Sequence, residues 1–182
     1  MSPSLDNQAQ GPIAFLRTAQ IVAGSLIMGV SIFLVVVFLV RSGKGGFAEN
    51  PWDFMGPKSI PTLIGLFMAA TLMVLSFLVP RQLVANHRKC VAAAKRAEGA
   101  ELIADEMGLF GFYQAQMIVG MALLEGAAFF NVGVFLVAGH ILNLIAVIGL
   151  VLLIVIRFPT EGRVEAWIDN QMELIRQERD FA

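Results

Sequence analysis

Long stretches of this chain carry almost no charge, and that constrains its fold more than any motif does. No Asp, Glu, Lys or Arg occurs between Arg17 and Arg41, from Ser59 to Pro80 or from Gly139 to Ile156, and the stretch from Met107 to Ala138 holds one acid, Glu125. A hydrocarbon core of about 30 Å is crossed by about 20 helical residues. The apolar runs, approximately 21–40, 60–79, 113–138 and 141–156, match that length or nearly so, and they read as membrane-spanning helices. With 57% hydrophobic residues and a mean hydropathy of +0.74, the chain has more apolar surface than a soluble domain of its length can bury.

The expected architecture is all-α: a polytopic membrane protein with four transmembrane helices arranged as two antiparallel hairpins. Residues 1–20 read as a polar N-terminal arm, 21–158 as the transmembrane domain with a cytoplasmic helical segment at 81–112, and 159–182 as a cytoplasmic amphipathic helix. No small-residue cleavage pattern follows the first run, which reads as a retained helix. The third and fourth runs are joined by little more than Gly139 and His140, so they form a tight hairpin. The fourth is short, but Arg157 can snorkel from its inner end, and His140 and Asn143 mark its outer end.

Basic residues set the orientation. Arg17, then Arg81, Arg88, Lys89, Lys95 and Arg96, then Arg157, Arg163, Arg176 and Arg179 fall on one side, against Arg41, Lys44 and Lys58 on the other. The positive-inside bias places both termini and the middle segment in the cytoplasm, across the cytoplasmic membrane. A net charge of −1 predicts no nucleic-acid partner. The single cysteine, Cys90, excludes an internal disulfide.

A weak repeat aligns the first and third runs at Ala19/Ala115, Gln20/Gln116, Gly24/Gly120 and Phe33/Phe129, with Glu125 opposite Gly29. The middle segment has a modest apolar stripe of Leu83, Val84, Cys90, Val91 and Ala94. The tail has a clearer one, Val164, Trp167, Ile168, Met172 and Ile175, with Glu165, Asp169, Glu173 and Arg176 on another face. Trp167, Ile168, Met172 and Ile175 therefore form a candidate partner or lipid interface. In the outer loop, Phe47, Trp52 and Phe54 are expected among the headgroups.

No phosphate-cradling glycine loop, nucleophile elbow or carboxylate pair occurs, so no enzyme activity and no cofactor are expected. His87 and Cys90 are too few ligands for a closed metal site. The residue that calls for a role is Glu125, because a carboxyl group in hydrocarbon must be neutral, paired or turned to a polar cavity. Ala115, Ala122, Gly126 and Gly133 form a small-residue stripe beside it of the kind that lets helices approach closely. Counted from the hairpin turn, Glu125 and Arg157 lie at similar depths, about 22 and 26 Å. A Glu125–Arg157 ion pair locking the hairpin is one expectation. An ion-binding or conducting site built on Glu125, with Arg157, Gln116 and Asn131 as neighbours, is the other.

The stretch Ala122-Leu123-Leu124-Glu125-Gly126-Ala127-Ala128-Phe129-Phe130 resembles the ion-binding helix of rotary ATPase proteolipid (c) subunits, and Arg81-Gln82 resembles the Arg-Gln pair of their cytoplasmic loop. The resemblance implies reversible protonation or sodium binding at Glu125. The leading expectation is a structural or interaction protein, homo-oligomeric or a subunit of a larger membrane complex; the alternative is a proton- or cation-translocating subunit.

Overall fold

The computed structural model describes residues 5–43, 59–98 and 106–180. They form five helices: α1 (Leu5–Gly43), α2 (Ser59–Glu98), α3 (Glu106–Ala138), α4 (Ile141–Ile156) and α5 (Glu161–Asp180), with no strand among the described residues. The outer-loop anchors Phe47, Trp52 and Phe54 lie outside the described residues, as do the side chains of His87, Cys90, Val91 and Ala94. Three stretches are long and apolar enough to cross a membrane, Phe15–Gly43, Ser59–Asn86 and Gly108–Ala138, and α4 makes a fourth if it is counted together with α5.

The helices begin earlier and run further than the sequence reading gave them. Residues 5–20, expected as a polar arm, are already part of α1, and α2 continues without interruption past Pro80 into the helical segment expected from 81. A proline inside a helix supplies no N–H to the carbonyl four residues back, here that of Ser76. That carbonyl receives a donor from Arg157 instead, 3.1 Å away, so its hydrogen bond is replaced and not lost.

The contacts divide the chain into two units, each assembled from separate stretches: 1–22, 78–119 and 159–182 in one, and 23–77 and 120–158 in the other. In the second unit, two registers recur. Gly29 meets Glu125, Phe33 meets Phe129 at 5.4 Å between ring centroids, and Arg41 donates to the Leu136 carbonyl, so α1 runs parallel to α3. These are the partners of the sequence repeat: Phe33/Phe129 and Gly29/Glu125 are neighbours in space as well as in alignment. Thr62 bonds Asn143 and Ser76 bonds Arg157, each pair 81 residues apart, so α2 runs parallel to α4.

The turn between α3 and α4 is as tight as expected. Gly139 takes a φ of 75°, the left-handed conformation that ends helices and that glycine adopts without a Cβ penalty. Its N–H donates to Phe135 at 2.9 Å. The guanidinium of Arg41 occupies the place where a Gly139 Cβ would stand, beside the carbonyl end of α3, where a cation is favoured. His140, in the turn, is buried, with 5% of its surface exposed.

In the first unit, α5 packs the stripe read from its sequence. Val164, Ile168 and Ile175 are buried with Leu109 of α3, and Leu16, Phe110, Tyr113, Trp167 and Met172 close around them. Tyr113 and Trp167 meet edge to face at 5.2 Å. The tail begins where Thr160 accepts the N–H groups of Arg163 and Val164, and Gln20 donates to the Pro159 carbonyl.

Candidate functional site

A polar side chain in a lipid-spanning helix finds its partner on another helix or on its own backbone, because hydrocarbon offers none. The second unit satisfies this rule at one cluster. Thr62, Asn131 and Asn143 are buried to within 1% of their surface. Asn131 Nδ2 donates to the Gly65 carbonyl at 3.0 Å and to the Ala127 carbonyl at 2.9 Å, while Asn143 Nδ2 donates to Thr62 Oγ1 at 3.2 Å. Three helices, α2, α3 and α4, are thereby joined through amide groups.

The two Oδ1 atoms of the cluster receive no N–H or O–H donor among the described residues. Both close on Gly65: a Cβ there would stand 2.9 Å from Asn131 Oδ1 and 3.1 Å from Asn143 Oδ1. In glycine a Cα hydrogen occupies that direction, so the two oxygens meet Cα–H, the weak donor that recurs where helices approach closely. Gly65 is thus the close-approach residue of the bundle. The sequence reading singled out Asn131 but gave Thr62, Gly65 and Asn143 no part in a site; the signal available was polar residues recurring near corresponding ends of apolar runs.

The expected Glu125–Arg157 pair is replaced by two separate arrangements. Arg157 turns to α2: its Nη1 donates to Ser76 O and, at 3.2 Å, to Ser76 Oγ, and its guanidinium carbon lies 3.8 Å from the centre of the Phe77 ring. The physical reason is the carbonyl that Pro80 leaves without its helical donor, a fixed acceptor on the adjacent helix. Glu125 turns to α1, where its Oε1 lies 3.7 Å from the Cβ position of Gly29. Its carboxyl group has no hydrogen-bond or ion-pair partner among the described residues. Asn131 belongs to the Gly65 cluster, and Gln116 belongs to the first unit, where it lines a recess with Arg81, Arg88, Trp167 and Gln171. The four residues expected around one ion site are therefore dispersed over several settings.

The small-residue stripe beside Glu125 is not consumed by packing among the described residues. Ala115, Ala122 and Gly126 are exposed, and open space surrounds the Cβ positions of Gly126 and Gly133. Close approach within the unit is supplied by Gly65 and Gly29 instead. Of the expected interface on α5, Ile168 and Ile175 are buried and Trp167 and Met172 pack against them, so that stripe is occupied by the chain's own helices. No group of three or more metal-ligating side chains occurs among the described residues.

Comparison with protein families, with characterised proteins and with solved structures finds no match.

Proposed function

We propose that this chain is a four-span protein of the cytoplasmic membrane, with both termini in the cytoplasm, that serves as a structural or interaction subunit of a membrane assembly, either of its own copies or with other subunits. One observation carries the reading: Glu125 sits beside an outward face of Ala122 and Gly126 that no helix among the described residues covers. A carboxyl group near the middle of a span is costly against lipid and is stabilised by a second protein surface, and small residues next to it let that surface approach. The core of the chain is held without this face, by the Gly65 cluster and by Arg157.

Cysteine placed at Ala122 or Gly126 in a Cys90→Ser background tests this. Oxidation in native membranes should give a covalent dimer or a cross-link to a partner, and cysteine at the outward Val137, which is 71% exposed, should give much less. Equal cross-linking at all three positions would refute a specific face.

The second reading, a proton or cation pathway, is favoured by the placement of Arg157 on Ser76, which leaves Glu125 without a counter-charge among the described residues. It requires that Glu125→Gln assemble normally and abolish proton or sodium flux in reconstituted vesicles. Unchanged flux, or no flux in the wild type, would remove it.

A further inference from the structure

The first unit contains a polar recess that the reading above does not use. It has a volume of about 200 Å³ and is lined by Arg81, Val84, Ala85 and Arg88 of α2, Gln116 of α3, and Trp167 and Gln171 of α5. No carboxylate among the described residues lines it. Arg81 is the first charged residue after the apolar run of α2, the level at which headgroups meet a spanning helix.

Two lining residues stand out. Gln116 Oε1 and Gln171 Oε1 are both buried without a donor among the described residues, and Gln171 as a whole is only 6% exposed. An unsatisfied buried acceptor is costly, and two of them on residues that line one recess call for an occupant that brings donors. The arginines call for the opposite group, an anion with several acceptor oxygens, and guanidinium forks match phosphate. A phosphodiester group alone meets only half of this demand, since it carries no donor for the glutamine carbonyls. The recess holds the share of liquid volume of about six water molecules, enough for a phosphate with a small polar substituent. Leu78 and Leu83, 47% and 43% exposed on the same helix, offer apolar surface to acyl chains.

We infer that this recess binds the headgroup of a membrane glycerophospholipid that joins a phosphate to a hydrogen-bond donor, as phosphatidylglycerol does. Arg81 and Arg88 hold the phosphate, and Gln116 and Gln171 accept the headgroup hydroxyls. Basic recesses between helices at the cytoplasmic face are suited to anionic lipids. The inference rests on the chain being membrane-embedded and is independent of the face around Glu125.

The experiment is native mass spectrometry of the purified full chain, titrated with phosphatidylglycerol, with phosphatidylmethanol, which keeps the charge but has no headgroup donor, and with phosphatidylcholine. The wild type should prefer phosphatidylglycerol over phosphatidylmethanol by about three- to tenfold, the range of a neutral hydrogen bond or two. It should prefer phosphatidylglycerol over phosphatidylcholine by more. Gln171→Leu should abolish the first preference and keep the second, whereas Arg81→Gln with Arg88→Gln should weaken both anionic lipids about tenfold and Arg176→Gln, outside the recess, neither. Equal binding of phosphatidylglycerol and phosphatidylmethanol by the wild type would overturn the proposal without recourse to any variant. Binding of free glycerol 1-phosphate as tightly as the lipid would reassign the recess to a soluble phosphoester and overturn the lipid assignment.

Discussion

Replacing Gly65 by alanine should destabilise the helix bundle by about 2 kcal/mol, against the gain that the same change brings to an isolated helix. Alanine is favoured over glycine by about 1 kcal/mol in a helix interior. Here the new methyl group would stand 2.9 Å from Asn131 Oδ1, 3.1 Å from Asn143 Oδ1 and 3.4 Å from Val134 Cγ2. Asn131 cannot turn away without giving up its bonds to the Gly65 carbonyl of α2 and the Ala127 carbonyl of its own helix, the first worth about 0.6 kcal/mol by the average for interhelical bonds in membranes. Overpacking adds about 1–3 kcal/mol, so the loss exceeds the propensity gain. The assay is reversible denaturation in mixed micelles, followed by loss of helix, for wild type, Gly65→Ala, Asn131→Ala and the double variant. Asn131→Ala removes both its bonds and the nearest obstacle, leaving Asn143 Oδ1 and Val134 Cγ2, so the alanine at 65 should cost about 1 kcal/mol less in that background. A Gly65→Ala protein as stable as wild type, or an equal cost in both backgrounds, would refute the close approach of the amide oxygens.

Arg157→Met should cost about 1.5–3 kcal/mol, the range for a hydrogen bond from a charged donor, and Pro80→Ala, which returns a helical donor to the Ser76 carbonyl, should reduce that loss in the same denaturation assay; an unchanged loss would separate the proline from the arginine. Ile175→Ala, at a side chain only 1% exposed, should cost about 2–4 kcal/mol, measured by protease resistance of the tail, and deletion after Arg163 should render α3 near Leu109 susceptible to cleavage. Gly139→Ala should cost about 1–2 kcal/mol for the left-handed backbone alone, and more because Arg41 must leave the turn; thermal unfolding of that variant and of Arg41→Gln measures the two contributions. Cysteine at the exposed Ser42 should react with an impermeant maleimide from outside intact cells while native Cys90 does not; labelling of Cys90 would overturn the orientation.

Much of the architecture was legible along the chain because it depends on local chemistry. Runs free of charge from Thr18 to Val40 and from Ser59 to Pro80 dictate apolar helices whatever surrounds them, and Gly139 with His140 leaves room only for a hairpin. The stripe of Val164, Ile168 and Ile175 announced a buried face by its spacing, since helical period alone decides which side chains align. The repeat offset between the first and third runs carried the α1–α3 register as well.

Partner choice was not legible, because it depends on which faces the folded helices turn to one another. Depth along a helix made Glu125 and Arg157 appear matched, yet depth says nothing of azimuth, and the acceptor freed by Pro80 on α2 draws the arginine to Ser76. Asn143 and Thr62 looked like polar ends of apolar runs, and only packing brings them together with Gly65 and Asn131. The small-residue stripe on α3 was expected as a surface for close approach, and among the described residues no helix uses it. Hydropathy is a property of each segment and survives translation into sequence; the pairing of a polar atom is a property of two segments at once, and it emerges only when both are placed.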